Sequence, residues 1–472
     1  MMLTDDTIAA ISTPLGEGGI GIVRLSGKDS ITIVEKIFLS PKNKSLKNSI
    51  SHRLLYGCIK DPAKGDEIDE VLISVMRSPY TYTKEDVVEI NCHGGMAPVI
   101  KTLQLVIKEG ARLAEPGEFT RRAFINGRID LSQAEAVLDL IRAKTDESRK
   151  IAIEQLQGGL SEKITALRDR LKELCAHVEA CIDFPEDDIE TASKEKLEES
   201  MKEIETELQR LLKTYEEARF FREGLSTAIV GRPNVGKSSL LNALLRKDRA
   251  IVTELPGTTR DVIEEYLNIK GLPVRIMDTA GIRDVHDDAA EKEGVRRSLQ
   301  SIENADLVIA IFDGSEPLRE EDHEVLEKVK NKDMLIVINK YDLPSAFDGS
   351  EIISRLSVAG HNDAPFDSPV LHISATRGDG LEELKNSIFN SSLKNWKEGR
   401  EGILVTNLRH KLAIENALTA LCRAISVFAE NNPIEIIALE LRDSLDRLGE
   451  IVGTVTTEDI LDSIFKNFCI GK

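Results

Sequence analysis

Paired cysteines are missing from this chain. Its six cysteines, Cys58, Cys92, Cys175, Cys181, Cys422 and Cys469, never fall at C-x-x-C spacing, so neither a zinc site nor a disulfide framework is indicated and reduced cytosolic thiols are expected. Also missing is any apolar run long enough to span a bilayer, and the first residues carry acids rather than a basic region ahead of an apolar stretch. A soluble, untargeted, cytoplasmic protein with no membrane association is therefore expected. Basic charge is in deficit: 62 Lys and Arg against 81 Asp and Glu leave a net charge of −19, which repels a polyanion over most of the surface. If RNA is bound, a local basic patch or a second protein must supply the counter-charge. The densest arginine group, Arg112, Arg121, Arg122, Arg128 and Arg142, is the candidate patch, and a salt-bridged face is its alternative. With 472 residues the chain has room for two to four domains, each with its own core.

What is present is a phosphate loop. Residues 231–239 read Gly-Arg-Pro-Asn-Val-Gly-Lys-Ser-Ser, after the apolar run 226–230 and before the helical pattern 240–245. In G-x-x-x-x-G-K-[ST] the backbone N–H groups of Asn234, Val235, Gly236, Lys237, Ser238 and Ser239 can surround phosphates. Lys237 then reaches the β/γ oxygens, and the Ser238 hydroxyl ligates Mg²⁺. Asn339-Lys340-Tyr341-Asp342 closes the apolar run 334–338 at the carboxyl end of an expected parallel strand. The Asp342 carboxylate can accept both N–H donors on guanine's edge, whereas adenine would leave it desolvated and unpaired. Ser374, Ala375 and Thr376, after the run 370–373, supply the second guanine contact, so the nucleotide expected is GTP. Asp278, Thr279, Ala280 and Gly281 follow a strand at 274–277, the pattern that delivers a carboxylate to Mg²⁺ and an amide to the γ-phosphate. The next residue is Ile282 where a glutamine would orient the attacking water in Ras-like GTPases, so hydrolysis needs a substitute residue and a substitute positive charge.

Around this core the pattern changes twice. Up to about residue 120, short β-branched runs at 19–25, 71–75 and 87–90 alternate with Gly/Pro turns, and 98–108 reads as a helix. Then Leu160, Ile164, Leu167, Leu171, Leu174 and Val178, and again Leu197, Met201, Ile204, Leu208, Leu211 and Tyr215, recur at alternating spacings of four and three, predicting paired helices. The acidic run 183–188 between them reads as a helix boundary rather than a metal site. After a charged linker at 394–402, Leu404, Leu408 and Leu412, then Leu441, Leu445, Leu448 and Ile451, predict that the helical layer resumes. The reading is a multidomain α/β chain: an N-terminal α+β domain at 1–122, a discontinuous helical bundle at 123–220 and 393–472, and a Ras-like P-loop GTPase inserted at 221–392. Such an insertion suits a switch, because loops ordered by the γ-phosphate can act through two adjacent connections.

Several blocks resemble the MnmE/TrmE family of tRNA-modifying GTPases. They are Asn234 in the phosphate loop, Gly-Thr-Thr-Arg-Asp at 257–261, the Asp-Thr-Ala-Gly-Ile-Arg run at 278–283 with Glu-x-x-Gly at 291–294, the Gly-rich block 16–27, and 82–89 followed by His-Gly-Gly at 93–95. The block 114–124 and the tail Cys-Ile-Gly-Lys at 469–472 complete the set. The resemblance implies that Asn234, with Thr253, Leu255 and Thr258, holds a K⁺ ion in place of an arginine finger, in the loop that also contains Glu254, Pro256 and Gly257. Thr259 would join Ser238 on Mg²⁺, and Glu291 would position the water, with Glu293 close by. A monovalent ion there would neutralise transition-state charge as a guanidinium does.

The same resemblance implies a folate-binding fold in the N-terminal α+β domain. A 5-formyl-type tetrahydrofolate would bind at a homodimer interface, contacted by Arg24, Glu85, Arg128 and Lys472. Lys84 and Arg128 stand where the family usually has Gly and Lys. Cys469 reads from its surroundings as an incidental thiol, while the resemblance puts it near the folate, where it could assist catalysis. It further implies an FAD- and NADH-dependent partner of the MnmG/GidA type, in a heterotetramer or larger, and tRNA as substrate modified at C5 of the wobble uridine. No Gly-x-Gly-x-x-Gly segment here opens a helix to hold FAD. The alternatives are a ribosome-assembly GTPase without modification chemistry, which would need an RNA-binding module such as a KH domain, and an interaction scaffold that merely retains a folate-like fold.

Overall fold

A computed structural model describes residues 6–41, 45–183, 191–248, 265–277, 300–358, 370–393, 402–430 and 432–472. The chain begins with β1 (Ile8–Ile11), β2 (Gly18–Ser26), α1 (Ser30–Ile37), β3 (Phe38–Leu39), β4 (Arg53–Lys60), β5 (Glu67–Met76), β6 (Val87–Gly94), α2 (Met96–Lys108) and β7 (Arg112–Leu113). These strands form one seven-stranded sheet in the order β3-β4-β5-β6-β2-β1-β7, antiparallel except where β7 runs parallel to β1. Alternation decides its faces. Val23, Leu25, Ile73, Val88 and Ile90 point to one side and bury with Val34 and Ile37 of α1 and Val99 and Leu105 of α2. On strands β4 and β5, Leu54, Tyr56 and Leu72 remain exposed, with Tyr56 directly opposite Leu72.

Helices follow: α3 (Glu118–Ile125), α4 (Leu131–Arg142), α5 (Asp146–Leu156), α6 (Gly159–Asp183) and α7 (Thr191–Glu223). All twelve residues of the two expected stripes on α6 and α7 are buried in one core. Helix α7 runs three residues beyond the expected junction at 220, and the next strand starts at Leu225. That strand, β8 (Leu225–Val230), opens a second unit with α8 (Lys237–Asp248), β9 (Glu265–Ile269), β10 (Leu272–Ile276), β11 (Leu307–Asp313), α9 (Glu320–Val329), β12 (Met334–Asn339), α10 (Gly349–Val358), β13 (Val370–His372) and α11 (Leu381–Ser392). Its six strands run β13-β12-β11-β8-β10-β9, all parallel but for β9. The near-continuous apolar runs at 225–230, 307–312 and 334–338 are what a parallel sheet covered on both faces requires.

The chain then returns to the helical layer as α12 (Leu408–Ala429), α13 (Ile434–Val452) and α14 (Glu458–Phe465). The stripe expected on α12 is not its buried face. Leu404 precedes the helix, and Leu408 and Leu412 are 48% and 49% exposed. The packed face is Ala413, Ile414, Ala417, Ala420, Leu421 and Ala424, mostly small side chains that let α12 lie close to α7 and α13. By length and composition α12 could also cross a membrane, but this face is embedded in the helical core. The protein thus has an N-terminal domain, a helical domain and a P-loop GTPase-like domain.

Candidate functional site

The phosphate loop connects β8 to α8 as the spacing predicts. Asn234 lies in the left-handed region at φ 63°, and Gly236 has φ 104°. A side chain at Gly236 is excluded twice, by that backbone and because a Cβ would come within 2.1 Å of Asn339 Nδ2. Lys237 Nζ donates to the carbonyls of Gly231 at 2.8 Å and Arg232 at 2.9 Å, and burial holds its ammonium pKa below the ordinary value. A desolvated cation on the floor of a loop of inward N–H groups is a ready partner for phosphate oxygens. Ser238 and Ser239 follow in the first turn of α8, where a divalent cation beside the phosphates would find the Ser238 hydroxyl.

The base-reading loop lies against it. Asn339 Nδ2 donates to Val235 O at 2.8 Å, and Ala375 N donates to Asn339 Oδ1 at 3.0 Å, so one amide joins the phosphate loop to the Ser374-Ala375-Thr376 turn. Lys340 is left-handed at φ 64°. The Ser374 hydroxyl beside Asp342 holds that carboxyl below its usual range, which keeps it an acceptor. Arg377 Nε lies 3.7 Å from the same carboxylate. Thr253, Glu254, Leu255, Pro256, Gly257, Thr258, Thr259, Asp278, Thr279, Ala280, Gly281, Glu291 and Glu293 lie outside the described residues.

A second constellation forms in the N-terminal domain. Arg24 on β2 pairs with Glu89 across the ladder to β6, Nε to Oε1 at 2.8 Å, and its NH1 donates to Gly471 O at 3.3 Å. Its guanidinium stands 5.8 Å from the Phe119 ring centre, while that of Arg128 stands 4.7 Å from that of Tyr82. Lys472 joins them, its ammonium pKa lowered by burial and by Arg24. The tail is strapped into place. Ile470 bridges Pro116, Gly117 N donates to Cys469 O at 3.4 Å, and Phe119 N donates to Lys472 O at 3.2 Å. Gly471, at φ 94°, passes so close to Ile11 that a Cβ would lie 2.4 Å from its carbonyl oxygen. The Cys469 side chain is exposed. Glu85 is committed inward, accepting from Ser26 Oγ at 2.6 Å and from Arg122 NH1 at 3.1 Å. Lys84 is left-handed at φ 58°, a backbone that glycine adopts without strain, and its Nζ is tied to Gly127 O at 2.9 Å. Tyr82, Glu89 and Phe119 were not among the expected site residues, although each lies in a quoted block.

The arginine group is not an open RNA-binding patch. Arg112 pairs with Asp6 and Glu118, Arg121 with Glu458 and Asp462, and Arg122 with Asp6, Glu85 and Glu118. Arg142 donates to Asn467 O at 2.8 Å, and Arg128 stacks on Tyr82. In an acidic chain most of these cations are neutralised by nearby carboxylates, so the salt-bridged alternative holds.

Helix α4 touches both connections to the GTPase-like unit. Its Asp130 caps the helix reciprocally with Gln133. Glu135 accepts from Asn407 at 2.9 Å, from Arg409 Nε at 3.0 Å and NH2 at 2.6 Å, and meets His410 Nε2 at 2.7 Å. Burial alone would raise the Glu135 carboxyl, but charge interaction and hydrogen bonding with His410, and then with Arg409, hold it well below the usual carboxylate range. Burial holds His410 below its ordinary value. One turn on, Asp139 accepts from Arg222 Nε at 2.8 Å, and burial pushes its carboxyl up. Arg222 ends the chain's passage into the GTPase-like unit, and 407–410 begins its return. One helix therefore grips both connections, while its Leu131, Ala134 and Leu138 pack on Leu461, Phe465 and Phe468 ahead of the tail.

The family model for the "MnmE helical domain" matches residues 131–469, and that for the "GTP-binding protein TrmE N-terminus" matches residues 7–128. The chain is 49% identical over 471 residues to a tRNA modification GTPase MnmE of Alkaliphilus oremlandii, covering 100% of each chain. It is 48% identical over 471 residues to that of Clostridioides difficile, again covering 100% of each. Among solved structures, a crystal structure of Aquifex aeolicus Era bound to GDP.AlF4- is 32% identical, covers 41% of this chain and 65% of the other, and has a TM-score of 0.26.

Proposed function

The chain belongs to the MnmE family of tRNA modification GTPases and is a GTP hydrolase, and from that premise we propose a division of labour between its two sites. The GTPase site, stimulated by K⁺, drives motion. The N-terminal site holds a 5-formyl-type tetrahydrofolate. A cytoplasmic homodimer of this chain works with an FAD- and NADH-dependent partner of the MnmG/GidA type to add a carboxymethylaminomethyl-type group to C5 of the wobble uridine of certain tRNAs.

The observation that carries the folate reading is the convergence of Arg24, Arg128 and Lys472 around the Tyr82 and Phe119 rings. Cations suit a ligand's carboxylates, and flat rings suit a pterin. The folate supplies a one-carbon unit when bound. This chain's residues orient it: Arg24, Arg128 and Lys472 hold its anionic groups, and Glu85, once turned from Arg122, would accept from its N–H donors. The exposed Leu54, Tyr56 and Leu72 on the open sheet face favour a homodimer, since a contiguous apolar patch on a sheet face calls for a cover. In the GTPase site, Asn234 would hold K⁺ with Thr253, Leu255 and Thr258, and Ser238 and Thr259 would hold Mg²⁺. Glu291 would position water. The left-handed Asn234 supports the first assignment, because a non-glycine residue kept in that strained region marks a functional constraint. Cys469, exposed beside the strapped tail, is open to a role in the modification chemistry.

Reconstitution tests the whole reading. With the flavoprotein partner, NADH, formyl-tetrahydrofolate, glycine as the source of the carboxymethylamino nitrogen and carbons, and undermodified tRNA, K⁺ with GTP should yield the C5-modified nucleoside. Na⁺ in place of K⁺ should slow hydrolysis by about 10²-fold or more, the range of a lost transition-state-stabilising group, without weakening GDP binding. Equal rates in the two salts would refute the ion's role, and modification that proceeds without the folate would refute the one-carbon assignment.

A further inference from the structure

The phosphate loop and the guanine loop are joined twice, once through Asn339 and once through Asp313, which lies outside both motifs. The second joint begins at Arg232, directly after Gly231, whose side chain is only 7% exposed. Three carboxylates surround it: Glu316 at 2.8 Å, Asp322 at 3.3 Å and Asp313 at 3.9 Å. Asp313 ends β11 and is itself fully engaged. Its Oδ1 accepts from Ser315 N at 3.0 Å and Ser315 Oγ at 2.6 Å, and its Oδ2 lies 2.5 Å from Lys340 Nζ as well as beside Arg232. The Asp313 carboxylate is thus shared by a phosphate-loop cation and a guanine-loop cation. Both loops carry a left-handed, non-glycine residue, Asn234 and Lys340, a conformation that persists only where the surroundings over-determine it.

We propose that Asp313 and Arg232 are positioning residues for GTP binding: by holding Arg232 and Lys340 on one carboxylate, Asp313 fixes the spacing between the loop that grips the phosphates and the loop that reads the base. A guanine nucleotide bridges those loops, so a preset spacing removes ordering that binding would otherwise have to perform. Each loop alone binds its own end of the ligand without needing the link. The inference rests on GTP hydrolysis only and stands apart from the one-carbon chemistry.

A buried ion network can instead serve the fold alone, and the two roles separate experimentally. In the full-length chain with Mg²⁺ and K⁺, Asp313→Asn and Arg232→Gln should each raise the KM for GTP and weaken GDP binding by about tenfold, with kcat within about threefold of wild type. The double variant should be no more than about threefold weaker than the worse single one, because both act through one carboxylate. Guanosine, which engages only the base loop, should bind Arg232→Gln within about twofold of wild type, and Asp322→Asn, which touches Arg232 but not Lys340, should keep GDP affinity within about twofold. Should Asp313→Asn fail to fold, Asp313→Glu retains the charge one methylene further out and should show the same KM shift. Unchanged KM in a folded Asp313 variant, or an equal loss in Asp322→Asn, overturns the proposal.

Discussion

Asp342 presents a single carboxylate to whatever base enters the site, and Ser374 keeps it charged. Replacing it by Asn swaps one acceptor for a donor, so Asp342→Asn should shift preference from GTP toward xanthosine triphosphate by about 10²-fold or more, the scale of a mispaired buried group. Competition between the two triphosphates for the full-length chain measures this, and unchanged selectivity would contradict the guanine assignment. That the segments 231–239, 339–342 and 374–376 would follow strands was legible in the sequence, because each motif is a short contiguous run at the end of an apolar strand. Tyr82 and Phe119 were not selected, although both stand in quoted blocks, because nothing in a linear reading says that their rings will meet Arg128 and Arg24. The neutralisation of Arg122 was equally hidden, since it depends on Asp6, 116 residues away in the chain.

Among the elements, α4 carries more than its twelve residues suggest. Removing Glu135 would strand Arg409 in a largely buried pocket, so Glu135→Ala should cost about 3–5 kcal/mol, as for other broken buried pairs. Acid should loosen the same contact in wild type. Glu135 and His410 both have folded-state pKa values below their unfolded ones, so the unfolded chain binds more protons in acid, and each contributes stability that is lost as pH falls. The His410 part begins to be lost below its ordinary 6.5 and the Glu135 part below its ordinary 4.5. Asp139, raised and paired with Arg222, acts in the opposite sense and blunts the fall. Thermal melts between pH 7 and 5 should show a declining midpoint that His410→Gln flattens, and a midpoint independent of pH in wild type would contradict the network. The helical stripes on α6 and α7 were read correctly from spacing alone, because large apolar residues at four-three intervals leave one choice of face. On α12 that logic failed. Leu408 and Leu412 stay exposed, whereas close packing against two helices uses alanine.

For the whole molecule, one helix touches both connections to the GTPase-like unit and the segment that leads into the strapped tail. Ordering of the GTPase loops should therefore alter amide exchange at 219–224 and 403–410 when GTP replaces GDP, and identical exchange in the two states would remove the proposed coupling. The broad division of the chain was visible in its composition and periodicity. The tail's path was not, because a strand-like bridge between Pro116 and Ile470 spans about three quarters of the sequence and leaves no local signal. Family resemblance, rather than spacing, pointed to Lys472. The most direct test of the account is nucleoside analysis of bulk tRNA from cells lacking this protein and from the same cells carrying it again. The account predicts that a C5-modified wobble uridine disappears and then returns, whereas an unaltered nucleoside profile in the deletion strain would contradict it.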